Sequence, residues 1–204
     1  MKLHTTAAVT LLAALIALPA SAHDRTYRNA EFGLQETFPA GVKVCTALSG
    51  NHPHGFYGLI GPNPGECQSE KPNISVIGVY ASWNTIYYKT PFAELPGYCR
   101  KPKPNDFISA AALKHMRIPG VRSVACFTTD RPIAIEVVAL AGKPLDEDDP
   151  EARNTHSTIY HVTLATSPQH FRRDLPMFRR FLASLRVMKR LSRDDSQCDP
   201  CTPF

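Results

Sequence analysis

The sequence lacks the short motifs by which many enzymes are recognised. It contains no Gly-x-Ser-x-Gly nucleophile elbow, no glycine-rich phosphate loop before a helix and no His-Glu-x-x-His zinc motif. These absences argue against common serine hydrolases, nucleotide-binding enzymes and zinc proteases. Catalytic triads can be assembled from residues far apart in a chain, so an enzyme stays an alternative. We favour a non-enzymatic protein and expect no cofactor.

The sequence also lacks internal repeats, low-complexity tracts and an apolar run long enough to cross a bilayer. Its uncharged N-terminal run, residues 7–18, is followed by Ala20-Ser21-Ala22, which is typical of a signal-peptidase site. This pattern predicts a cleaved signal peptide over residues 1–22 and a mature chain that starts at His23. An uncleaved anchor is the alternative. We therefore expect a periplasmic or secreted protein without a transmembrane segment.

The composition is that of an ordinary globular protein, with 43% hydrophobic residues and a net charge of +5. It predicts one domain over residues 23–190, followed by a C-terminal tail over residues 191–204. An exported protein does not meet chromosomal DNA, so we expect no nucleic-acid partner. The net positive charge instead indicates that the partner is an acidic protein or an anionic component of the cell envelope.

All six cysteines follow the predicted cleavage site, and an even number in an exported chain predicts disulfides. Many pairings are possible, and our working choice joins nearest neighbours. The predicted pairs are Cys45–Cys67, Cys99–Cys126 and Cys198–Cys201. The last pair has the spacing of redox enzymes, but too few residues follow it to form the helix that lowers a thiol pKa. We interpret it as a structural disulfide, with redox chemistry and metal binding as alternatives.

Alternating hydrophobic residues predict an antiparallel sheet. The predicted strands cover residues 32–38, 42–45, 74–83, 121–128, Ile133–Ala141 and Thr158–Thr166. Both faces of 74–83 are largely apolar, which places this strand centrally. A short helix is predicted over 90–95, whereas 107–116 fits either a helix or a strand. The expected fold class is therefore α+β, a single domain with helices flanking the sheet.

Glycine and proline are dense between residues 49 and 71, which predicts a long loop closed by Cys45 and Cys67. Loops of this length inside compact domains are often functional. We therefore expect contact residues here. The candidates are His52, His54, Phe56 and Tyr57. His52 and His54 are also the candidate ligands of a metal site, although zinc needs further ligands.

The clearest pattern follows Thr158–Thr166, where Ser167-Pro168 predicts the start of a helix that runs to about residue 187. An apolar stripe predicts the face packed on the sheet. Its members are Phe171, Leu175, Phe178, Leu182 and Leu185. Pro176 predicts either a kink or two consecutive helices, with Asp174 as a second N-cap.

The opposite face of this helix is basic. We call five of its residues the arginine face: Arg172, Arg173, Arg179, Arg180 and Arg186. Such a face can bind an anionic partner, and the alternative is a solvated surface whose late arginines favour the helix C-terminus. The acidic run at 146–151 can partly neutralise the charge of the arginine face within the same molecule.

The order of elements resembles a known group. Phe32-Gly33-Leu34 leads to Phe38-Pro39-Ala40-Gly41, and a late hairpin precedes a strand that ends in Thr166-Ser167-Pro168 before a terminal helix. This order resembles the PsbP-like fold, from which the chain departs in its six cysteines and in its long 45–67 segment. The resemblance implies an antiparallel sheet flanked by helices and a non-enzymatic accessory or binding role.

These observations together predict a non-enzymatic, exported accessory protein that recognises another macromolecule. A more specific version is an immunity or inhibitor protein against a cell-wall-directed toxin. The alternative is a metal-binding protein or metal-dependent enzyme that uses His52 and His54.

Overall fold

The computed structural model describes residues 23–49, 52–67, 74–84, 88–95, 99–128, 133–142 and 157–188. Several predictions lie outside these residues: the signal peptide, the acidic run at 146–151, the tail at 191–204 and the Cys198–Cys201 pair. The side chain of His52 is also outside them, although its backbone belongs to a strand.

The described chain forms nine strands and three helices. The strands are β1 Arg25–Asn29, β2 Leu34–Phe38, β3 Lys43–Ser49, β4 His52–Ile60, β5 Ser75–Trp83, β6 Arg122–Thr128, β7 Ile133–Ala141, β8 Thr158–Thr166 and β9 Arg186–Val187. The helices are α1 Pro91–Glu94, α2 Ala110–Lys114 and α3 Phe171–Ser184. The α+β fold class is confirmed, with the predicted antiparallel structure present as two sheets.

The larger sheet has six strands in the order β3-β4-β5-β8-β7-β6, and all its pairs are antiparallel. The central position predicted for 74–83 is confirmed, because β5 lies between β4 and β8. The hairpin predicted between 121–128 and Ile133–Ala141 is also confirmed as the β6–β7 pair. Since side chains alternate along each strand, the sheet has an inner face towards the core and an outer face.

The smaller sheet has the order β1-β2-β9 and covers part of the inner face. Tyr27 on β1 places its ring 5.1 Å from that of Phe56 on β4. The end of α3 enters this sheet directly. Ser184 Oγ accepts from the Thr37 N–H at 3.0 Å. Its hydroxyl proton has two acceptors within reach, the Phe181 carbonyl oxygen at 2.7 Å and the Thr37 carbonyl oxygen at 3.1 Å. The hydroxyl therefore contacts both backbone groups of Thr37 just before β9 pairs with β2.

The core lies between the inner face of the large sheet and a layer made of α2, α3 and the small sheet. It joins Ile77 and Val79 of β5 with Val162 and Leu164 of β8. The apolar stripe of α3 belongs to the same core, with Phe178 fully buried and Leu182 only 4% exposed. The predicted packing of the helix on the sheet is thus confirmed. Phe181, which the sequence pattern omitted, is buried as well.

One segment that was predicted to be irregular contains a strand, and a second strand forms where none was predicted. The long loop predicted over 49–71 is wrong in its middle, because 52–60 forms β4. Its glycines permit close packing: a Cβ on Gly58 would collide with the side chains of Val42 and Phe38. The polar segment 25–29 is β1, an edge strand of the small sheet. The ambiguous 107–116 contains the short helix α2, in which Ser109 Oγ accepts from the Ala112 N–H.

The last helix is shorter than predicted at both ends. Ser167 and Pro168 precede it in a turn, and α3 begins at Phe171 after hydrogen bonds from His170 and Phe171 to the Ser167 carbonyl. It ends at Ser184, since the backbone is needed for β9. The two-helix alternative is wrong, because α3 is continuous with Pro176 inside it.

Asp174 is not the second N-cap that the sequence suggested. Its carboxylate is fully buried and accepts from Thr166 Oγ1 at 2.7 Å and from Arg173 Nε at 2.6 Å. Ser75 lies next in the chain of contacts, with its Oγ 2.8 Å from Thr166 Oγ1. Burial alone would raise the pKa of Asp174, but hydrogen bonds from Arg173, Ser75 and Thr166 outweigh it and lower the pKa.

Two of the three predicted disulfides are confirmed. Cys45–Cys67 and Cys99–Cys126 are bonded, with Cα–Cα distances of 5.8 Å and 5.4 Å. Each ties an irregular segment to the large sheet. In the chain-entropy model, closing loops of this length stabilises the fold by roughly 3 kcal/mol each.

Replacing Phe178 with Ala tests how α3 is held on the sheet. We expect the free energy of unfolding to fall by about 3–5 kcal/mol, because a fully buried ring leaves a cavity. Arg179→Ala, next along the helix but exposed, is the matched control and should change stability by less than about 0.5 kcal/mol. Equal losses in denaturant unfolding of the two variants would contradict this packing.

Glu36 on β2 is a carboxyl group in the core. It lies on the same side of the strand as Leu34 and Phe38, it is fully buried, and neither oxygen has a hydrogen-bond partner among the described residues. Burial raises the pKa of Glu36 well above its usual value, since nothing compensates the lost hydration of the charged form. The folded protein therefore keeps this side chain uncharged into a pH range where the unfolded chain ionises it.

The Glu36→Gln variant should remove a pH-dependent loss of stability. In the wild type, the raised folded-state pKa makes the contribution of Glu36 to stability most favourable below the usual value of 4.5, and this contribution falls as pH rises towards neutrality. The slope should approach about 1.4 kcal/mol per pH unit. Glu36→Gln should flatten it and exceed wild-type stability at pH 7. Chemical unfolding across this pH range checks the prediction against Glu31→Gln as control, and an unchanged slope in Glu36→Gln would refute it.

Candidate functional site

The arginine face lies on the solvent side of α3 and the start of β9, and all five of its residues are exposed. The opposite side of the helix is closed against the core by Phe171, Asp174, Phe178, Phe181 and Leu182. The prediction that this helix has one apolar and one basic side is therefore confirmed. Its apolar side is already occupied by the sheet.

Two of the five arginines are used within the fold. Arg173 Nε donates to the buried Asp174, and Arg186 Nη1 donates to the carbonyls of Ala183 and Leu185 at 2.7 and 2.8 Å. The second arrangement caps carbonyl groups that the helix end leaves unpaired. These two side chains thus have structural roles. The sequence pattern alone did not distinguish them from the arginines that are available for binding.

The other three, Arg172, Arg179 and Arg180, make no hydrogen bond or ion pair with the rest of the described chain. Arg172 and Arg179 are seven residues apart, which places them on one side of the helix about 10 Å apart along its axis. Three guanidinium groups are thus held on one rigid helix with their hydrogen-bond donors directed to solvent. Guanidinium groups bind carboxylates and phosphates through paired hydrogen bonds.

Arg28, which no sequence pattern indicated, extends this basic surface. It is exposed on β1, where its Nε donates to Gln35 Oε1 at 2.8 Å, and Gln35 pairs with Arg186 across β2 and β9. Arg28 and Arg186 therefore flank one glutamine on one face of the small sheet. The signal was hidden because β1 itself was not predicted to be a strand.

The predicted contact residues of the 49–71 segment do not form one exposed surface. Phe56 is 2% exposed and lies in the core, so its assignment to a contact surface is wrong. Tyr57 is half-buried on the outer face of the large sheet, beside Gly78 of β5. A Cβ on Gly78 would collide with Tyr57, so the glycine makes room for the tyrosine. The two neighbours point to opposite faces because β4 is a strand.

His54 is engaged with the sheet. Its Nδ1 lies 2.6 Å from the carbonyl oxygen of Ala81, and its ring stacks on Tyr80 with centroids 5.0 Å apart. A carbonyl only accepts, so Nδ1 carries the proton and Nε2 is left as the metal-binding nitrogen. Such a contact also orients metal-ligating histidines. No group of three metal-ligating side chains is found in the described part of the chain, however.

A second candidate site lies on the outer face and was missed by the sequence analysis. His161 of β8 has Nδ1 2.6 Å from Glu136 Oε1 on β7 and Nε2 3.4 Å from Glu94 Oε1 on α1. The charge of Glu94 raises the pKa of Tyr88, assisted by burial and a hydrogen bond between the two side chains. Four polar groups from distant parts of the chain therefore form one connected array.

Glu136 of the array lies directly opposite Cys126, which belongs to the Cys99–Cys126 disulfide. Cys45 of the other disulfide lies on the same outer face. One row of directly opposed residues crosses all six strands and has a disulfide cysteine at each end. From β6 to β3 the row is Cys126, Glu136, Thr163, Gly78, Tyr57 and Cys45. The segments joined by the two disulfides therefore border this face from opposite sides. A sequence signal existed in Glu136, the charged residue of the apolar strand β7, and in His161 of β8, but their partners could not be inferred.

No helix in the described ranges has the length and hydrophobicity of a membrane span. No family model, curated protein or solved structure matches this chain. The geometry of the described residues is therefore the basis for a functional proposal.

Replacing Glu94 with Gln tests the array directly. Removing the carboxylate charge should lower the pKa of Tyr88 towards the ordinary value of 10.0, because the negative charge of Glu94 opposes tyrosinate formation. A pH titration of the Tyr88 ring by NMR, with Tyr88→Phe for assignment, measures this shift. Glu66→Gln removes one carboxylate elsewhere and should leave the titration unchanged. A Tyr88 titration that is identical in the wild type and Glu94→Gln would contradict the contact.

Proposed function

We propose that this protein is an exported, non-enzymatic binding protein that uses the arginine face to recognise an acidic surface of another protein. The observation that carries the proposal is the set of three exposed arginines, Arg172, Arg179 and Arg180, without a partner in the described chain. Their helix is fixed by its buried side, so their spacing is set before a partner arrives. Preorganised groups lose less entropy on binding.

The placement of α3 favours a protein partner over a lipid surface. Helices that bind membranes insert their apolar side among the lipids. The apolar side of α3 is packed into the core, so only charge attraction is left for a membrane. Arginine is also enriched in protein interfaces, where its planar group pairs with carboxylates. The capture experiment must therefore distinguish a protein partner from an anionic cell-envelope polymer.

Export is supported by the two disulfides and by the N-terminal sequence pattern. Disulfides form and persist outside the reducing cytosol. The resemblance of the sequence to the PsbP-like group supports the same functional class, since members of that group are typically accessory or binding proteins. The periplasm is the compartment that we propose.

A specific version of the proposal is an immunity or inhibitor protein that neutralises a cell-wall-directed toxin. Such a partner would present an acidic surface to the arginine face. A neighbouring reading frame that encodes a cell-wall-directed effector, whose product binds the arginine face, would support this version. The alternative function, a metal-binding protein or metal-dependent enzyme at His52 and His54, has one oriented imidazole at His54 in its favour. Metal analysis of the purified mature protein tests it.

Charge reversal tests the proposed contact. The mature protein, residues 23–204, carries Arg172→Glu, Arg179→Glu and Arg180→Glu and is used to capture partners from the periplasm of the organism that makes it. We expect the wild type to retain an acidic protein in a salt-sensitive manner and the triple variant to lose at least about 90% of it. Each lost arginine–carboxylate contact removes about 1 kcal/mol or more.

The matched control reverses three exposed basic residues elsewhere, Lys101, Lys114 and Arg117, and so changes the net charge equally. It should retain the partner, because net charge alone is not the determinant. Equal loss in both variants, or retention in both, would contradict a contact at the arginine face. Capture of an anionic polysaccharide or lipid in place of a protein would overturn the choice of partner.

A further inference from the structure

A small cavity of about 150 Å³ opens on the outer face of the large sheet, away from the arginine face. Its described lining includes Tyr88, Lys89, Pro91, Arg122, Leu140 and Ser157. We call it the Ser157 pocket. It is smaller than the roughly 300–1,000 Å³ of sites for drug-sized ligands, so its occupant must be small.

Three side chains of the described lining offer hydrogen-bond donors. Lys89 and Arg122 are exposed at its rim, and neither has a hydrogen bond or ion pair with the described chain. Ser157 is 2% exposed, and its Oγ accepts from Asn84 Nδ2 at 2.8 Å. The Ser157 hydroxyl proton has no acceptor among the described residues. The pocket thus offers two cationic groups and a buried hydroxyl donor.

A buried asparagine builds this arrangement. Asn84 is fully buried, and its Nδ2 donates to the Tyr88 carbonyl at 2.9 Å as well as to Ser157 Oγ. Its Oδ1 accepts from the Tyr88 N–H at 2.9 Å, and its own N–H donates to the Ser157 carbonyl at 2.8 Å. One side chain therefore fixes both walls of the pocket. The hydroxyl of Ser157 is held in place before any ligand enters.

The rest of the lining is apolar. Leu140 of β7 and Pro91 of α1 line the same space, and the negative charge of Glu94 acts on the Tyr88 hydroxyl. An inorganic anion would leave the apolar lining unused. A carboxylate with a short apolar end matches both parts, because its oxygens meet the donors while its carbon atoms meet Leu140 and Pro91.

We propose that the Ser157 pocket binds a small carboxylate, with Arg122 and Lys89 holding the charge and Ser157 donating to one oxygen. The carboxylate comes either from a free short-chain acid or from the C-terminus of a peptide. This site does not depend on the arginine face, which lies on the other side of the sheet. It gives the protein a ligand site in addition to its macromolecular contact.

Titration of the mature protein with propionate tests the site by NMR. We expect a saturable shift of the Lys89, Arg122 and Ser157 amide signals with a millimolar dissociation constant. Arg122→Gln should weaken this binding at least about tenfold, since it removes a charge-assisted contact. Arg117→Gln removes an exposed arginine outside the pocket and should leave binding unchanged. A dipeptide with a free C-terminus and its amide separate the two sources of the carboxylate.

Saturation by the free dipeptide at lower concentrations than propionate, with no binding of the amide, identifies a peptide C-terminus. Saturation by propionate alone identifies a free acid. The absence of a saturable shift, or an equal loss of affinity in Arg117→Gln and Arg122→Gln, would overturn the site. Phosphate or chloride that binds as tightly as propionate would overturn the assignment of a carboxylate.

Discussion

The position of α3 depends on a buried contact between Asp174 and the large sheet. The Asp174 carboxylate accepts from Thr166 at the end of β8, and Thr166 in turn contacts Ser75 at the start of β5. A carboxylate without partners would be costly in the core, and these donors keep it ionised. Asp174 sits on the same side of α3 as Phe171 and Phe178, so the contact and the buried rings together set which side of the helix faces the sheet.

This constraint separates the surface of the protein into regions with different chemistry. Once the buried side of α3 is fixed, its arginines can only face solvent, and Ser184 is brought against Thr37 so that the chain continues into the small sheet. The outer face of the large sheet contacts α1 and the disulfide-linked segments, and it carries the array of His161, Glu136, Glu94 and Tyr88. The proposed macromolecular contact and the proposed small-ligand site therefore lie on opposite sides of the large sheet.

The elements that form the core have strong hydrophobic patterns, and these elements were predicted. Predictions failed where the hydrophobic pattern was weak or was obscured by glycine. The largely apolar segment 74–83 and the stripe through Phe178 and Leu182 result directly from burial, so both were predicted. In β4, glycines such as Gly58 serve close packing against Phe38 and were interpreted as loop residues. Contacts between distant residues, such as His161 with Glu94, leave no local pattern. Nearest-neighbour cysteines correctly indicated two disulfides because each closes a short segment against one strand.

The most direct test of the account is a photochemical cross-link from the arginine face in living cells. A photoreactive amino acid placed at position 179 should form an adduct with an acidic protein, because this position lies at the centre of the exposed arginines. The same group at position 117 should form none. Adducts at 117 but not at 179, or an adduct at 179 with lipid alone, would contradict the claim that α3 presents a protein-binding surface.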